Sequence, residues 1–105
     1  MNQKPGDVWL ADLGLAGKTR PVVILSRDDS QAPRALVIYV PLTTQHRGSR
    51  YEVAVGQLQF LNEASVANVQ GIASLPPQRF ERKLGVLPVD VLSAIKLALA
   101  FAVEM

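Results

Sequence analysis

The sequence predicts a mainly β fold, in which an antiparallel sheet curls into a small barrel and is followed by one C-terminal helix. Short runs of β-branched and large apolar residues recur through the first three-quarters of the chain, separated by polar loops. No helical pattern lies between these runs, so successive strands are expected to pair antiparallel. The apolar spacing becomes that of a helix only after Pro88. With 105 residues, the chain is expected to form one domain, residues 1–105, around a single core.

Apolar runs bounded by polar residues predict the individual strands. The predicted strands cover residues 7–13, 20–26, 34–42, 50–55, 64–69 and 70–76. The runs at 20–26 and 34–42 are nearly continuous in apolar residues, which is typical of strands buried on both faces. Gly71 indicates a bulge or a point of close approach. The segment "RFERKLGVL" at 79–87 fits either a strand or a single turn.

The predicted helix begins at Pro88 and ends near Ala102, because proline suits a first helical turn and strong helix formers follow it. The stripe expected to pack on the sheet comprises Leu92, Ile95, Leu99 and Ala102. Further apolar residues lie outside that stripe, namely Val91, Leu97, Ala98 and Phe101. A helix that is apolar on more than one face needs a second partner. In a chain that is 49% hydrophobic, we expect this partner to be a second copy, forming a homodimer.

The composition excludes several classes of function. The chain has no cysteine, which rules out disulfides and thiolate zinc sites, and its one histidine rules out a two-histidine ribonuclease pair. The P-loop, GxGxxG and GxSxG motifs are absent. We therefore expect neither a metal site nor a cofactor. The N-terminal segment lacks the apolar core of a signal peptide, and the apolar C-terminal segment is broken by Asp90 and Lys96. These features predict a cytoplasmic protein with no membrane segment.

Positive charge is concentrated in the first half of the chain. Residues 13–50 carry six basic side chains against two acidic ones, although the whole chain has a net charge of only +2. A basic surface of this kind attracts phosphate groups, including those of nucleic acids. Scattered, solvated arginines are the alternative interpretation.

Two strand ends carry side chains suited to binding a phosphodiester. Arg20 directly precedes Pro21 at the start of a predicted strand, and Thr43 and Thr44 follow another in "PLTTQ". A guanidinium donates a forked pair of hydrogen bonds to phosphate oxygens, and a threonine hydroxyl adds a further donor. The proline holds the backbone extended after Arg20, which limits the directions its side chain can take. The alternative is an arginine that merely ends a strand in solvent.

Five segments in this order and spacing resemble the MazF/PemK/Kid toxins of bacterial toxin–antitoxin systems. They are "PGDVWLADL", "RPVVILSRDD", "VPLTT", "VANVQGIASLP" and "RKLG", and they cover nearly the whole chain. The resemblance implies an SH3-like barrel with a C-terminal helix, a homodimer, and a cognate antitoxin that blocks the toxin. It also implies an mRNA interferase, an endoribonuclease that cleaves single-stranded RNA without a metal. In that reaction a ribose 2′-hydroxyl attacks the adjacent phosphate and leaves a 2′,3′-cyclic phosphate and a 5′-hydroxyl.

The resemblance assigns roles to individual residues. Arg20 matches the family's catalytic arginine and is expected to stabilise the phosphorane, with a possible second role as general acid. Thr43 matches the threonine that holds the scissile phosphate. The residues expected to bind RNA are Lys18, Thr44, His46, Arg47, Arg50 and Gln70. For Arg47 and Arg50, the acidic tail of an antitoxin is a second expected ligand, and a purely solubilising role is the alternative.

The chain departs from the family pattern at two positions. Ala73 stands where many relatives have an arginine near the RNA, and Gln70 stands where another branch has an acid proposed as general base. His46, Asp12 and Asp28 are therefore the remaining candidates for the base. The alternatives are a solvated loop histidine for His46, a strand-end cap for Asp12 and a turn residue for Asp28. Three functions stay open at this stage. They are the toxin endoribonuclease, a toxin of the same fold that poisons gyrase, and an inactive relative that binds RNA or antitoxin.

Overall fold

The computed structural model describes residues 2–14 and 18–105, which form seven strands and one α-helix. The strands are β1 (Asp7–Asp12), β2 (Thr19–Ile24), β3 (Val37–Thr43), β4 (Glu52–Gly56), β5 (Ser65–Asn68), β6 (Ala73–Leu75) and β7 (Phe80–Val86). The helix α1 covers Val89–Ala102. Single 3₁₀ turns, Val69–Gly71 and Pro77–Arg79, precede β6 and β7. The predicted elements are thus confirmed within a few residues at each end, and the open segment at 79–87 is a strand.

The strands pair antiparallel in the order β4-β5-β3-β2-β1-β7, and β6 pairs with β3. This confirms a mainly β fold with a C-terminal helix. Within residues 2–14 and 18–105 no ladder joins β4 to β7. The sheet is therefore curled like a barrel without being closed into one.

Two apolar clusters cover the two faces of the central strands. The first includes Val23 and Val40 and is completed by Ile95 of α1, whereas the second contains Val22 and Phe80. Adjacent residues of β2 enter different clusters because side chains alternate between the faces of a strand. This explains why the sequence of β2 is apolar without interruption.

The helix buries the stripe that its spacing predicts. Ile95 is fully buried, and Leu92, Leu99 and Ala102 pack against the first cluster. Val91 and Ala98 pack there as well, so the buried face is wider than the predicted stripe. Leu97 remains 73% exposed, which confirms that apolar surface extends beyond that face. Within the described part of the chain, no helix has the length and apolar character needed to cross a bilayer.

The 3₁₀ turn before β6 is held close to β3. A Cβ atom added to Gly71 would lie 2.7 Å from Cγ of Pro41, so only glycine fits there without a shift of the proline ring. Gly71 is therefore a point of close approach, as the sequence predicts, and it lies in the turn rather than in a bulge. The contact brings Gln70 next to the end of β3.

Candidate phosphate-binding groove

The groove lies where β2 and β3 separate. The two strands pair from Ile24 and Tyr39 to Val22 and Pro41. Arg20 and Thr43 each lie two residues beyond the last pair, and both line the space that opens between the two strands. Pro21 has no N–H to extend the ladder, and the described pairing stops before it. We call the resulting space of about 550 Å³ the fork groove. It is lined by Leu13, Arg20, Pro21, Pro41, Leu42, Thr43, Thr44, Gln45 and Ser65.

Arg20 presents an exposed guanidinium to the fork groove. Its Nη1 donates to the carbonyl oxygen of Thr19 at 3.4 Å. None of the ion pairs within residues 2–14 and 18–105 includes Arg20. Most of the five N–H donors of the guanidinium are therefore available to an anion that enters the groove.

Thr43 and Thr44 add two hydroxyls to the groove. The Oγ1 atom of Thr43 accepts a hydrogen bond from the backbone N–H of Gln45 at 3.1 Å. This bond uses a lone pair and orients the side chain, and the hydroxyl hydrogen stays free to be donated. Thr44 is exposed and lines the same groove.

A second depression of about 490 Å³ adjoins the fork groove. We call it the loop groove, and it is lined by Thr43, Gln45, Arg47, Ser49, Tyr51, Glu52, Asn68 and Gln70. Because Thr43 and Gln45 line both grooves, one extended molecule can occupy both. Arg47 donates from Nη2 to Oε1 of Gln45 at 3.4 Å. The loop groove therefore brings Arg47 and Gln70 beside the Arg20–Thr43 pair.

Glu52 organises the loop that borders this second groove. Its Oε1 accepts the backbone N–H groups of Ser49 and Arg47, each at 3.1 Å. These hydrogen bonds, that of Ser49 first, lower the pKa of Glu52 below its ordinary value of 4.5, and the nearby charge of His46 acts in the same direction. A carboxylate stabilised in this way is a weak base, so we assign Glu52 to shaping the loop.

Three predicted RNA-binding residues do not line either groove. Lys18 is exposed immediately before β2, and His46 is exposed in the loop after β3. The guanidinium of Arg50 lies over the ring of Phe101, 3.8 Å from its centroid. The structure thus directs Arg50 toward the end of α1, and its contact with RNA stays a prediction.

Asp12 and Asp28, the two acids considered as general bases, do not line either groove. Oδ1 of Asp12 accepts the backbone N–H of Gly14 at 2.8 Å and lies 3.5 Å from Nη2 of Arg79. Asp12 is thus the residue that ends β1. Asp28 lies in the loop after β2 and is not among the residues that line the grooves. These two acids and His46 are the candidates for the general base.

Several groove residues were missed from the sequence, among them Ser65, Gln45, Asn68 and Glu52. Ser65 reaches the fork groove only because β5 pairs with the end of β3, where Val66 opposes Thr43. Ser65 lies near Thr43 because of the order of the strands in the sheet, which a local sequence motif does not predict. The sequence contains one weak indication that Glu52 lies at the groove, because this acid stands near the start of an alternating strand, directly after a polar loop.

Comparison with known proteins agrees with the fold and with the motifs. The family of PemK-like, MazF-like toxins of type II toxin–antitoxin systems matches residues 4–103. The endoribonuclease MazF3 of Mycobacterium tuberculosis is 31% identical over 88 residues, which cover 84% of this chain and 85% of that protein.

Solved structures show the same architecture. The Mycobacterium tuberculosis toxin MazF-mt6 superposes with a TM-score of 0.82 at 29% identity, covering 94% of this chain and 97% of that one. A mycobacterial endoribonuclease in complex with its cognate antitoxin gives a TM-score of 0.84 at 28% identity, with 97% and 95% of the two chains covered. The match over nearly all of its length shows that this chain belongs to the PemK-like, MazF-like toxins of type II toxin–antitoxin systems.

Proposed function

We propose that this toxin is an endoribonuclease that cleaves single-stranded RNA at the fork groove without a metal ion. The observation that carries the proposal is that Arg20 and Thr43 line the same groove at the fork between β2 and β3. Relatives that match most of this chain are named endoribonucleases, which supports the same reaction here. The comparisons give no support to a gyrase poison.

The proposed reaction is an internal transesterification. The 2′-oxygen of one ribose attacks the adjacent phosphorus, its proton passes to a general base, and the bond from phosphorus to the 5′-oxygen breaks. The 5′-oxygen takes up a proton as it leaves, so the products are a 2′,3′-cyclic phosphate and a 5′-hydroxyl. Arg20 would meet the charge that develops on the non-bridging oxygens and is the candidate donor of the final proton. Thr43 would hold the scissile phosphate through its hydroxyl hydrogen.

The two adjoining grooves suit a single strand better than a duplex. The fork groove would hold the scissile phosphate, and the loop groove would hold a neighbouring nucleotide near Arg47 and Gln70. An extended strand can pass from one groove to the other by way of Thr43. Lys18, Thr44 and His46 would add contacts along this path, with Arg50 at its edge. Because the substrate is cellular RNA, the proposal places the protein in the cytoplasm.

We also propose a homodimer and a cognate antitoxin as partners. The helix α1 leaves Val89 and Leu97 exposed by 80% and 73%, which gives a second copy an apolar surface to cover. An antitoxin with an acidic, disordered tail would compete with RNA for the basic residues Arg47 and Arg50. The relative solved with its cognate antitoxin supports such a partner.

Incubation of the purified protein with end-labelled single-stranded RNA in EDTA tests the reaction. We expect cleavage that EDTA does not stop, with cyclic phosphates on the 5′ fragments. The matched control is Arg34→Ala, which removes an exposed arginine outside the grooves and should cut like the wild type. Activity that requires an added divalent ion would contradict the mechanism. RNA binding without cleavage would instead identify an inactive relative.

A further inference from the structure

We propose that a pocket beside the fork groove binds an RNA base next to the scissile phosphate, with the ring of Phe60 as its stacking surface. The pocket has a volume of about 450 Å³, and Phe60, Asn62, Arg82 and Leu84 are among the residues that line it. We call it the Phe60 pocket. The inference rests on the proposed RNA cleavage and adds to it a specific site for one unpaired base.

The Phe60 pocket is continuous with the fork groove. Pro21, Thr44 and Ser65 line both spaces. These three residues lie beside the Arg20–Thr43 pair, so a nucleotide whose phosphate lies at Arg20 has the pocket within reach of its base. The loop groove adjoins the same pair through Thr43 and Gln45. The scissile phosphate would thus have one candidate base site on each side.

The lining of the pocket has the chemistry of a base site. Leu10, Phe60 and Leu84 supply apolar and aromatic surface for the faces of a planar ring. For the edge of a base, Asn62 supplies donors and acceptors and the carboxylate of Glu63 supplies acceptors only. Arg82 adds a positive charge for the adjoining phosphate. Stacking of unpaired bases on aromatic side chains is the usual mode by which proteins hold single-stranded RNA.

The ring of Phe60 is held in place before any RNA arrives. It lies directly against the backbone of Gly85 in β7, and a Cβ atom added there would be 2.9 Å from Cγ of Phe60 and still closer to the edge of the ring. Two hydrogen bonds close the surrounding loop. The backbone N–H of Leu61 donates to the carbonyl oxygen of Leu58 at 3.1 Å, and Nε2 of Gln57 donates to the carbonyl oxygen of Leu61 at 3.4 Å. A fixed ring loses little freedom when a base stacks on it, which favours binding.

An abasic scan tests the pocket independently of cleavage. The probe is a short single-stranded RNA with 2′-fluoro sugars, selected from a randomised pool by its binding to the wild-type protein. Because the attacking hydroxyl is absent, the probe measures binding alone. Its bases are then removed one position at a time, and the dissociation constants of wild type and variants are compared. We expect one position at which loss of the base weakens binding to the wild type by about fivefold or more, the low end for one stacked base.

The variants Phe60→Leu and Gly85→Ala should both remove the sensitivity at that position. The first keeps an apolar side chain without a ring, and the second displaces the ring from β7. Phe60→Tyr should retain the sensitivity. Leu58→Ala is the matched control, because Leu58 packs on the same core from the same loop without lining the pocket.

The outcomes separate the pocket from the reaction. A base sensitivity that disappears in Phe60→Leu and Gly85→Ala but persists in Leu58→Ala supports the pocket, whether or not the wild type cleaves RNA. If removal of each base weakens binding to Phe60→Leu as much as it weakens binding to the wild type, the Phe60 pocket is overturned as a base site. This holds even if cleavage in EDTA is normal. Absence of cleavage by the wild type would overturn the proposed reaction alone.

Discussion

At the scale of single residues, the site depends on two side chains that differ in burial and in role. Arg20 is exposed and contributes little to packing, whereas Thr43 is half-buried and tied to the backbone of Gln45. An exposed arginine can be removed without disturbing the core. The two positions can therefore be tested for catalysis separately from folding.

Replacing Arg20 by alanine should slow cleavage while leaving the protein folded. Loss of one preorganised donor to a developing oxyanion costs about 2.7–4 kcal/mol of transition-state stabilisation. Single-turnover cleavage of one labelled RNA measures this loss, and urea denaturation checks the fold. A folded Arg20→Ala protein that cuts at the wild-type rate would remove Arg20 from the site.

The hydroxyl of Thr43 should matter less than the charge of Arg20. Thr43→Val keeps the shape of the side chain and removes a hydrogen bond to a charged phosphate, which is worth about 1.5–3 kcal/mol. We expect a fall in the single-turnover rate of about 10- to 150-fold, smaller than the fall for Arg20→Ala. Thr44→Val is the matched variant in the same groove, and a larger effect there than at Thr43 would reverse the proposed roles.

At the scale of elements, the turn after β1 depends on the hydrogen bond that Asp12 accepts from Gly14 more than on the ion pair between Asp12 and Arg79. Asp12 accepts the N–H of Gly14 at 2.8 Å, while its contact with Arg79 is longer, 3.5 Å, and lies between side chains that are 40% and 38% exposed. Ion pairs with this exposure contribute little. In addition, Nε of Arg79 is buried without a hydrogen-bond partner among the described residues.

The variant Arg79→Met should therefore leave the free energy of unfolding within about 1 kcal/mol of the wild type, because it removes a weak ion pair together with an unsatisfied buried group. Asp12→Ala, which leaves the N–H of Gly14 without its acceptor, should destabilise the protein more. Urea denaturation of both variants compares them. A larger loss in Arg79→Met would show that the ion pair holds the turn.

The loop after β3 should resist acid until Glu52 is protonated. The pKa of Glu52 is lowered in the folded protein, so its contribution to stability is present above the unfolded value of 4.5 and is lost as the pH falls through the lower folded value. Hydrogen exchange of the Arg47 and Ser49 amides, corrected for intrinsic rates, should show constant protection from neutral pH down to 4.5 and a loss below it.

Glu52→Gln is the control for this pH dependence. It keeps an acceptor oxygen but loses the charge that strengthens both hydrogen bonds. Protection of the two amides should be weaker than in the wild type and should no longer change with pH in the acid range. An unchanged acid transition in this variant would assign the effect to another group.

At the scale of the whole molecule, the strands and the helix were predictable because burial leaves a clear pattern in each run. The fork groove was predictable in part, since Arg20 directly precedes Pro21 and Thr43 follows Pro41 by two residues, each at a strand end. The contribution of Ser65 was not, because it depends on which strand pairs with the end of β3. Arg50 shows the same difficulty, since it contacts Phe101, which is remote in sequence.

The strand β7 remained ambiguous because Glu81, Arg82 and Lys83 are exposed and interrupt its apolar pattern.

The proposed homodimer can be tested by sedimentation. At micromolar concentration the wild type should have about twice the mass of the 11.4 kDa chain, because the exposed face of α1 needs cover. Leu97→Glu should produce monomers without unfolding the protein, since Leu97 is 73% exposed. Ile38→Glu places the same charge at an exposed position on β3 and should stay dimeric. If Ile38→Glu dissociates and Leu97→Glu stays dimeric, the interface lies on the sheet and not on the helix.

The position of β1 between β2 and β7 bears on how the toxin is made at the ribosome. A growing chain that ends before β7 leaves one edge of β1 unpaired, and without α1 the cluster around Val23 lacks Ile95. Strands β2 and β3, which carry Arg20 and Thr43, are synthesised well before that sheet edge and core are complete. Domains generally fold as cooperative units, so the fork should become rigid only when β7 and α1 have emerged. The fork, and with it the proposed nuclease activity, is then complete only after these elements have been translated.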